Sequence, residues 1–353
     1  MPVVVAKFMT NDINAAYVQD QVVLITGVAG TIGKSLAHQI IKQGPRLVFG
    51  LDNNETELTF LQKTLGDKFL PILCDIRDVE QLCDACNGVD ILFHAAALKH
   101  VPVCERYPIE AIKTNILGVQ NIIKASIAEC ISRVIVMSTD KAVNPTSVMG
   151  TSKLMGEQLV KAATLKPGRT IFTTTRFGNV LGSRGSVVPI FAQQIKQGGP
   201  LTVTSTEMTR FVMTLTDAID LVLKCGEISQ GGEIFVTKMS ALSVHDLAEV
   251  MIEHLAPLYG FRSSDIEIQV IGPRPGEKVY EELMTEEEVR RTIELEQYYV
   301  IKPALTDLYS NFESSYPNQA GSSVANAYTS RTQTLLSKQE IREFLITKTD
   351  LLD

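Results

Sequence analysis

An acid and a base of complementary type stand side by side in the segment STDKA, where Asp140 and Lys141 directly follow Thr139. A protonated carboxyl delivers a proton and a neutral amine removes one, so the pair offers general acid–base chemistry. Both roles need shifted pKa values, which a closed, partly desolvated pocket provides. The alternative is a surface ion pair at a turn. The preceding run SRVIVMST predicts a strand, and doubly wound sheets place their chemistry at the carboxyl ends of their strands.

A glycine-rich turn at Gly27, Gly30 and Gly33, in TGVAGTIG, lies between a predicted strand and a predicted helix. Glycine permits a tight turn and a close approach of the backbone to a pyrophosphate, which the helix N-terminus receives. About twenty residues further on, the next strand ends at Asp52, whose carboxylate can accept hydrogen bonds from an adenosine ribose. The pattern predicts dinucleotide binding, and the alternative is a plain turn with Asp52 as a helix cap. Asp52 would repel a 2′-phosphate and favours NAD over NADP, although Arg46 or an unrecognised lysine could change that balance.

The hydrophobic pattern predicts the scaffold that positions these groups. Strand-like apolar runs alternate with helical periodicity through QVVLITG, RLVFGLD, FLPILCD, VDILFHAAA, SRVIVMST and RTIFTTTRFG. They predict an α/β fold, a Rossmann-type doubly wound parallel sheet with a smaller interleaved C-terminal substrate-binding region. We expect an N-terminal extension at 1–20, an NAD(P)-binding domain at 21–180 and a substrate-binding region at 181–353, in which a segment near 233–238 returns to the main sheet. From about residue 300 the sequence predicts a surface loop and then a last helix, SKQEIREFL.

Composition restricts the class of partner. The 353 residues are 45% hydrophobic and carry a net charge of −7, which gives no general field for attracting nucleic acid or an anionic membrane. A small phosphate-bearing ligand fits better than a polymer. We find neither a leader segment nor a membrane-spanning stretch, which predicts a cytoplasmic location. Cys83 and Cys86 form a lone CxxC without a second pair, so we expect no metal site and reduced thiols.

Further blocks extend the pattern along most of the chain: HAAALKHVP, TNILG, MGTSK, RFGNVLGSRGSVVPIF, MTRFVMTLTDAIDLV and PRPGEKVYEELM. Together with STDKA they resemble the UDP-N-acetylglucosamine 4,6-dehydratases of polysaccharide biosynthesis, in the extended short-chain dehydrogenase/reductase superfamily. The resemblance implies a lyase with a tightly bound, recycled NAD, with NADP as the alternative. Hydride leaves C4 of the sugar, water is eliminated across C5 and C6, and the hydride returns to C6. It also implies a homo-oligomer, a dimer or a hexamer, and leans weakly toward retention at C5.

The same resemblance assigns roles to individual residues. It implies that Asp140 protonates the departing C6 hydroxyl and that Lys141, beside Thr139, removes the C5 proton. The implied cofactor site comprises Gly27, Gly30, Thr31, Ile32, Gly33, Asp52, Asn53, Asp75, Ile76, Ala95, Ala96, Ala97, Asn115 and Lys153. For Asp75, helix capping is the alternative. The implied nucleotide-sugar site comprises Lys99, Asn179, Val188, Arg210, Arg274 and Glu277, for which surface salt bridges are the alternative. His100 is more typical of a packed loop residue than of a catalytic group.

One position departs from the superfamily pattern. Most short-chain dehydrogenases carry Tyr-x-x-x-Lys, whereas MGTSK has Met149 at the tyrosine position and keeps Lys153, the implied cofactor-ribose lysine. A thioether cannot act as an acid or a base. The same substitution occurs in a subset of the dehydratases, so it argues against an ordinary C4 epimerase or reductase. The group that deprotonates the C4 hydroxyl stays open between Asp140, Lys141, Thr139 and a bound water. A dehydratase that inverts C5 and a non-catalytic dinucleotide-binding protein are the remaining alternatives.

Overall fold

The structure is a computed structural model that describes residues 16–166, 168–183, 185–304, 315–317 and 319–348. The strands in this part of the chain are β1 (Val22–Thr26), β2 (Leu47–Asp52), β3 (Phe69–Leu73), β4 (Ile91–His94), β5 (Arg133–Thr139), β6 (Ile171–Phe177), β7 (Asn179–Val180), β8 (Leu201–Val203), β9 (Thr209–Met213), β10 (Ile234–Thr237), β11 (Ser240–Ser243), β12 (Ile268–Val270), β13 (Glu282–Met284), β14 (Thr292–Leu295), β15 (Tyr298–Ile301), β16 (Gln319–Ser323) and β17 (Tyr328–Thr329). The helices are α1 (Thr31–Lys42), α2 (Glu55–Leu65), α3 (Val79–Cys86), α4 (Val101–Arg106), α5 (Pro108–Ala111), α6 (Gly118–Ala128), α7 (Val148–Thr164), α8 (Val187–Lys196), α9 (Leu215–Ile228), α10 (Val244–Leu258), α11 (Glu286–Val289) and α12 (Lys338–Lys348).

The large sheet brings the strand ends of the first half of the chain to one edge. Its order is β16-β14-β15-β10-β6-β5-β4-β1-β2-β3. The strands from β3 to β10 in this order are parallel, whereas β15, β14 and β16 pair antiparallel. The order reverses direction between β1 and β4, and doubly wound sheets bind ligands in the crevice at such a point. The Rossmann-type α/β fold predicted from the sequence is therefore confirmed.

Helices cover both faces of this sheet. On one face α3, α6 and α7 bury side chains such as Leu82 and Ile122. On the other face α1, α2 and α9 bury side chains such as Leu36 and Val222. Each fully buried side chain of this kind contributes about 1.5–3 kcal/mol of transfer free energy, so the sheet edge that carries the polar residues rests on a packed base.

A second apolar cluster forms the smaller C-terminal part. Helices α8, α10 and α12 pack with β8 through Phe191, Met251 and Leu345. The described residues after position 180 also contribute to the large sheet. The segment predicted near 233–238 contains β10, which pairs parallel with β6, and β14, β15 and β16 continue the sheet beyond it.

Some sequence predictions fall partly outside the described residues. These are positions 1–15 of the predicted N-terminal extension and positions 305–314 of the predicted surface loop. The predicted last helix corresponds to α12. Over the ranges that the structure describes, no helix has both the length and the apolar character that crossing a membrane requires.

Candidate active site

A cavity of about 480 Å³ opens at the carboxyl ends of the first strands of the large sheet. Many of the residues that the sequence assigns to the cofactor share its wall: Gly27, Gly30, Asp52, Asn53, Asp75, Ile76, Ala95, Ala96 and Ala97. Thr31, Ile32 and Gly33 form the first turn of α1 next to it. The cavity therefore lies at a strand–turn–helix junction of the kind that receives a pyrophosphate.

Glycine is required by geometry at two positions of this turn. Gly27 has a φ of +71° and its N–H donates to the Leu51 carbonyl at 2.8 Å. A Cβ atom at Gly27 would lie 2.5 Å from the backbone nitrogen of Ala96, and one at Gly33 would collide with the Gly27 carbonyl oxygen. The turn, the helix that follows it and the end of β4 thus approach one another as closely as backbone allows.

Asp52 joins the glycine turn to the end of β2. Its Oδ2 atom accepts from the Ala29 N–H at 2.9 Å and its Oδ1 atom accepts from the Asn54 N–H at 3.0 Å. The cap of α2 is Asn54, whose side chain accepts from Glu57 N–H, so the helix-cap alternative for Asp52 is wrong. Arg46 lies at the opposite end of β2, roughly 20 Å away at about 3.3 Å per residue, and is 3.7 Å from Asp90. Arg46 therefore cannot reach a phosphate group placed next to Asp52.

Arg77 is a cation in the cavity wall that the sequence did not reveal. Its Nε atom donates to both carboxylate oxygens of Asp75, at 3.0 and 2.9 Å, and its Nη1 atom donates to Glu110 at 2.8 Å. These hydrogen bonds hold the pKa of Asp75 below its ordinary value. Helix α3 is capped by Asp78, so the capping alternative for Asp75 is also wrong, and Asp75 is engaged with Arg77 instead.

Asn115 and Lys153 are not among the described residues of this cavity's wall. Asn115 sits in a π-helical turn, Ile112–Leu117. Its Oδ1 atom accepts from the Leu98 N–H at 2.8 Å, and its Nδ2 atom donates to the Leu98 carbonyl and the Ser152 hydroxyl, each at 2.9 Å. Through these hydrogen bonds, the Asn115 side chain holds the segment after β4 against α7. Lys153, on α7, donates to the Met137 carbonyl at 2.6 Å. Burial lowers its pKa from 10.5 to about 8.

A second cavity, of about 320 Å³, lies between the sheet edge and the smaller part. Of the residues that the sequence assigns to the nucleotide sugar, Asn179, Arg210, Arg274 and Glu277 line it, and Lys141 lines it as well. Val188 does not, because it is 1% exposed and packs into the core of the smaller part. The first turns of α8 instead present Val187, Ile190 and Phe191 to the cavity. The assignment of Val188 to the nucleotide-sugar site is therefore wrong, because Val188 lies on the face of α8 that packs into the core.

Lys99 and His100 follow β4 and are exposed. Neither belongs to the described walls of the two cavities. The ring of His100 lies against Gly185, where an added Cβ atom would be 2.8 Å from the His100 Cε1 atom. This contact is consistent with a packed loop residue.

Asp140 and Lys141 form the centre of the candidate site, where Lys141 lines the second cavity. Asp140 is fully buried, and its Oδ1 atom accepts from the Thr139 hydroxyl at 2.6 Å and from Lys141 Nζ at 3.0 Å. Its Oδ2 atom has no hydrogen-bond partner among the described residues. On the other side, Lys141 Nζ is 3.3 Å from Glu281 Oε1. The alternative of a surface ion pair is wrong for this arrangement.

The charge on Lys141 departs from the sequence expectation of a neutral amine. Burial acts to lower its pKa, but the carboxylates of Asp140 and Glu281 outweigh burial and raise the pKa above its ordinary value. A raised pKa favours the ammonium form of Lys141 at neutral pH. Lys141 becomes a base only if its proton moves elsewhere.

Arg210, on β9, uses its guanidinium for hydrogen bonds and an ion pair within the protein. Its guanidinium donates to the carbonyls of Thr209 and Lys278, each at 2.8 Å, and its Nε atom is 3.4 Å from Glu281 Oε1. Arg210 thereby ties β9 to the segment before β13. Arg274 is exposed on the same cavity, so its guanidinium is the better placed of the two for an incoming phosphate.

Met149 is packed away from both cavities. It is 3% exposed and shares an apolar cluster with Cys104 and Ala111. The walls of the two cavities, over the described residues, do not include it. Its side chain acts by packing α7 against α4 and α5.

A buried ion cluster lies beneath this centre and was not predicted. Arg176 donates through Nε and Nη2 to Glu157 at 2.8 and 2.6 Å, and through Nη1 and Nη2 to Glu288 at 2.9 Å each. Glu157 also accepts from the Ser138 hydroxyl at 2.6 Å. The cluster links β5, β6, α7 and α11 one residue away from Thr139, and so it supports the turn that carries the acid–base pair.

A family model described as polysaccharide biosynthesis protein matches residues 23–303. An uncharacterized membrane protein of Methanocaldococcus jannaschii is 45% identical over 96% of this chain and 98% of that protein. A protein named UDP-glucose 4-epimerase, from Rickettsia conorii, is 39% identical over 93% of this chain and 96% of its own length.

Solved structures show the same architecture. The X-ray structure of Pen from Bacillus thuringiensis has a TM-score of 0.88 and 38% identity, and the match covers 96% of this chain and 100% of that one. DesIV, a dTDP-glucose 4,6-dehydratase from Streptomyces venezuelae solved with NAD and TYD bound, has a TM-score of 0.66 and 21% identity over 73% of this chain and 86% of that one. The second likeness is one of fold.

Proposed function

Because this chain belongs to the polysaccharide biosynthesis protein family, in the extended short-chain dehydrogenase/reductase superfamily, we propose that it is an NAD-dependent 4,6-dehydratase of UDP-N-acetylglucosamine. The family match covers the glycine turn, the acid–base pair and the second cavity. The family is established by this match, whereas the dehydratase reaction and the UDP-N-acetylglucosamine substrate are our proposal. The observation that carries the proposal is the pair formed by fully buried Asp140 and half-buried Lys141 at the second cavity, combined with a methionine at the tyrosine position.

The first cavity fits a dinucleotide. The glycine turn offers backbone N–H groups at the start of α1, and the carboxylate of Asp52 disfavours a ribose 2′-phosphate, which supports NAD over NADP. NAD, when bound, supplies a hydride acceptor for C4 of the sugar and a hydride donor for C6. Lys153 is then the residue that holds the nicotinamide ribose, and Asn115 keeps the segment after β4 in place beside it.

The acid–base pair can reach its working charge state by an internal proton transfer. Lys141 Nζ and Asp140 Oδ1 are 3.0 Å apart. Passing one proton across this hydrogen bond converts the ammonium and the carboxylate into a neutral amine and a neutral carboxyl. A sugar that fills the cavity excludes water, and exclusion of water favours the neutral pair. Lys141 then removes the C5 proton, and Asp140 protonates the departing C6 hydroxyl.

Elimination returns the pair to its charged state. Lys141 has gained the C5 proton and Asp140 has given its proton to the leaving water. Lys141 can then return a proton to C5 when hydride returns to C6. The proton of the C4 hydroxyl balances the cycle, and its acceptor stays open between Asp140, Lys141, Thr139 and a water. The Thr139 hydroxyl, at 2.6 Å from Asp140 Oδ1, gives that proton a short path.

A C4 epimerase is the second candidate, and the name of the Rickettsia relative supports it. Against it stands Met149, because a thioether cannot take the C4 hydroxyl proton and its side chain packs into an apolar cluster. C4 epimerisation also requires no acid to protonate a departing C6 hydroxyl.

Proton NMR in deuterated buffer separates the two. Purified protein is incubated with UDP-N-acetylglucosamine and no added cofactor. We expect a new C6 methyl signal with deuterium at C5, lost in Asp140→Asn and in Lys141→Ala. The C5 coupling pattern then distinguishes retention from inversion. A C4-epimeric sugar without a methyl signal would instead identify an epimerase, and no change with any UDP- or dTDP-hexose, even with NAD supplied, would refute both candidates.

The homo-oligomer, a dimer or a hexamer, and the cytoplasmic location stay predictions. Light scattering coupled to size exclusion measures the first.

A further inference from the structure

Glu281 is a buried carboxylate that the proposed cycle leaves without a role. It is 2% exposed and lines the second cavity. Its backbone is fixed from both sides, because its N–H donates to the Ser330 hydroxyl at 2.9 Å and its carbonyl accepts from the Ser330 N–H at 2.8 Å. A carboxylate held this firmly and taken out of water needs charge compensation to persist.

The compensation comes from two cations that share one oxygen. Glu281 Oε1 lies 3.3 Å from Lys141 Nζ and 3.4 Å from Arg210 Nε. The other oxygen, Oε2, is buried and has no hydrogen-bond partner in the described part of the chain. Glu281 is thus the bridge between the amine of the acid–base pair and an arginine in the cavity wall.

The charged groups that face Lys141 come from three elements. Asp140 lies on its own turn, Glu281 on the segment before β13, and Arg210 on β9. Two carboxylates and two cations balance one another in this cluster. Removing the Glu281 charge leaves Lys141 with one carboxylate and one opposing guanidinium.

Resting on the proposed function, we propose that Glu281 is a positioning residue of the reaction centre, which holds the Lys141 amine in line with Asp140 and ties it to Arg210 through one shared oxygen. Glu281 then sets how readily Lys141 gives up its proton. An opposite charge at this distance changes the pKa of its partner by about one to three units. Each unit is a tenfold change in the neutral fraction of an amine below its pKa.

Trace acetylation of amines at pH 9, with the Lys141 peptide quantified by mass spectrometry, measures that neutral fraction without any turnover. We expect Glu281→Gln to increase labelling of Lys141 by about tenfold or more. Glu281→Asp, whose shorter side chain opens at least as much space but keeps the charge, should stay close to wild type. Glu287→Gln removes the same charge from an exposed carboxylate that pairs with Arg291 and should leave labelling unchanged.

Two results would overturn the proposal: unchanged labelling in Glu281→Gln, or an equal increase in Glu281→Gln and Glu281→Asp, which would indicate access rather than charge. Arg210→Gln gives an independent variant if Glu281→Gln does not fold. It removes the opposing cation and should reduce labelling of Lys141, and an increase would contradict the proposed cluster.

Kinetics then tests the link to the reaction. In the pH profile of kcat, the limb that Lys141 controls should move to lower pH in Glu281→Gln and return in Glu281→Asp. Movement of the acid limb identifies Lys141 as the base, and movement of the alkaline limb identifies it as an acid. Altered labelling with an unmoved profile would refute a role in the reaction. If wild type forms no methyl product, the proposed function fails, while labelling still decides whether Glu281 governs Lys141.

Discussion

The substitution Glu157→Gln removes one charge from the buried cluster beneath the acid–base turn. Gln has nearly the same shape, so the change isolates the charge. Arg176 would lose two charge-assisted hydrogen bonds, of 2.8 and 2.6 Å, and Ser138 would lose an ionised acceptor at 2.6 Å. The guanidinium would keep its two bonds to Glu288, at 2.9 Å each, its bond to the carbonyl of Leu283 and at most one neutral bond to the new amide oxygen.

Breaking a buried ion pair from one side costs about 3–5 kcal/mol, because it leaves an uncompensated charge. Since Glu288 still faces Arg176, we expect the lower value, about 3 kcal/mol. The entropy of unfolding is about 2.1 cal/mol/K per residue near the melting temperature, which for 353 residues gives about 0.7 kcal/mol/K. The melting temperature should therefore fall by about 4 °C.

Calorimetry or far-UV circular dichroism measures this change, because the chain contains no tryptophan for fluorescence. Glu287→Gln is the control: its side chain is 65% exposed, and an exposed pair contributes about 0–1 kcal/mol. Replacing Arg176, Glu157 and Glu288 together with apolar residues of similar volume should recover much of the loss. If Glu157→Gln melted within 1 °C of the control, the claim that this cluster supports the fold would be refuted.

Other predictions concern the proposed cofactor and substrate sites. Met149→Tyr overpacks its apolar cluster and should cost about 1–3 kcal/mol without raising turnover, whereas Met149→Leu should keep both turnover and melting temperature; a faster Met149→Tyr enzyme would contradict the packing role. The pKa of Lys153 is about 8 in the folded protein, below its ordinary value of 10.5. Between pH 8 and pH 10.5 the unfolded chain therefore binds more protons than the folded protein, and the free energy of unfolding should rise with pH. Lys153→Met should consequently melt higher than wild type at pH 7, converge with it toward pH 10.5 and bind NAD more weakly by calorimetry; a lower melting temperature at pH 7 would oppose this sign. Titration should show at least about tenfold tighter binding of NAD than of NADP, which corresponds to about 1.4 kcal/mol of binding free energy. Asp52→Asn should reduce this preference. An equal preference in both proteins would exclude Asp52 as its cause.

The features that sequence predicts well are local ones. The parallel strands follow from short β-branched runs that end at glycine or a polar residue. The glycine turn follows from its place between a predicted strand and a predicted helix, with Asp52 about twenty residues further on. Asp140 and Lys141 stand together at a predicted strand end, but their roles as acid and base come from the resemblance of the surrounding motifs.

The features that sequence misses depend on distant partners. Arg176 and Glu288 are 112 positions apart, and nothing in RFGNV indicates that its arginine is buried. The block PRPGEKVYEELM offers several carboxylates, among which only the three-dimensional position of Ser330 and Arg210 selects Glu281. Val188 was misassigned for a different reason, since a helix of correct extent still leaves its rotation about its axis undetermined.

The anchoring of Glu281 by Ser330 has a consequence for how the molecule is made. Ser330 lies beyond residue 303, where the family match ends, and about 190 residues after Lys141. At about 5–20 residues per second, the ribosome needs roughly 10–40 s to add that stretch. A nascent chain therefore contains the strands and the glycine turn of the first cavity well before the carboxylate that balances Lys141 is held in place. Ser330, which is made well after Lys141, thus completes the charge balance around a residue of the first half of the sequence.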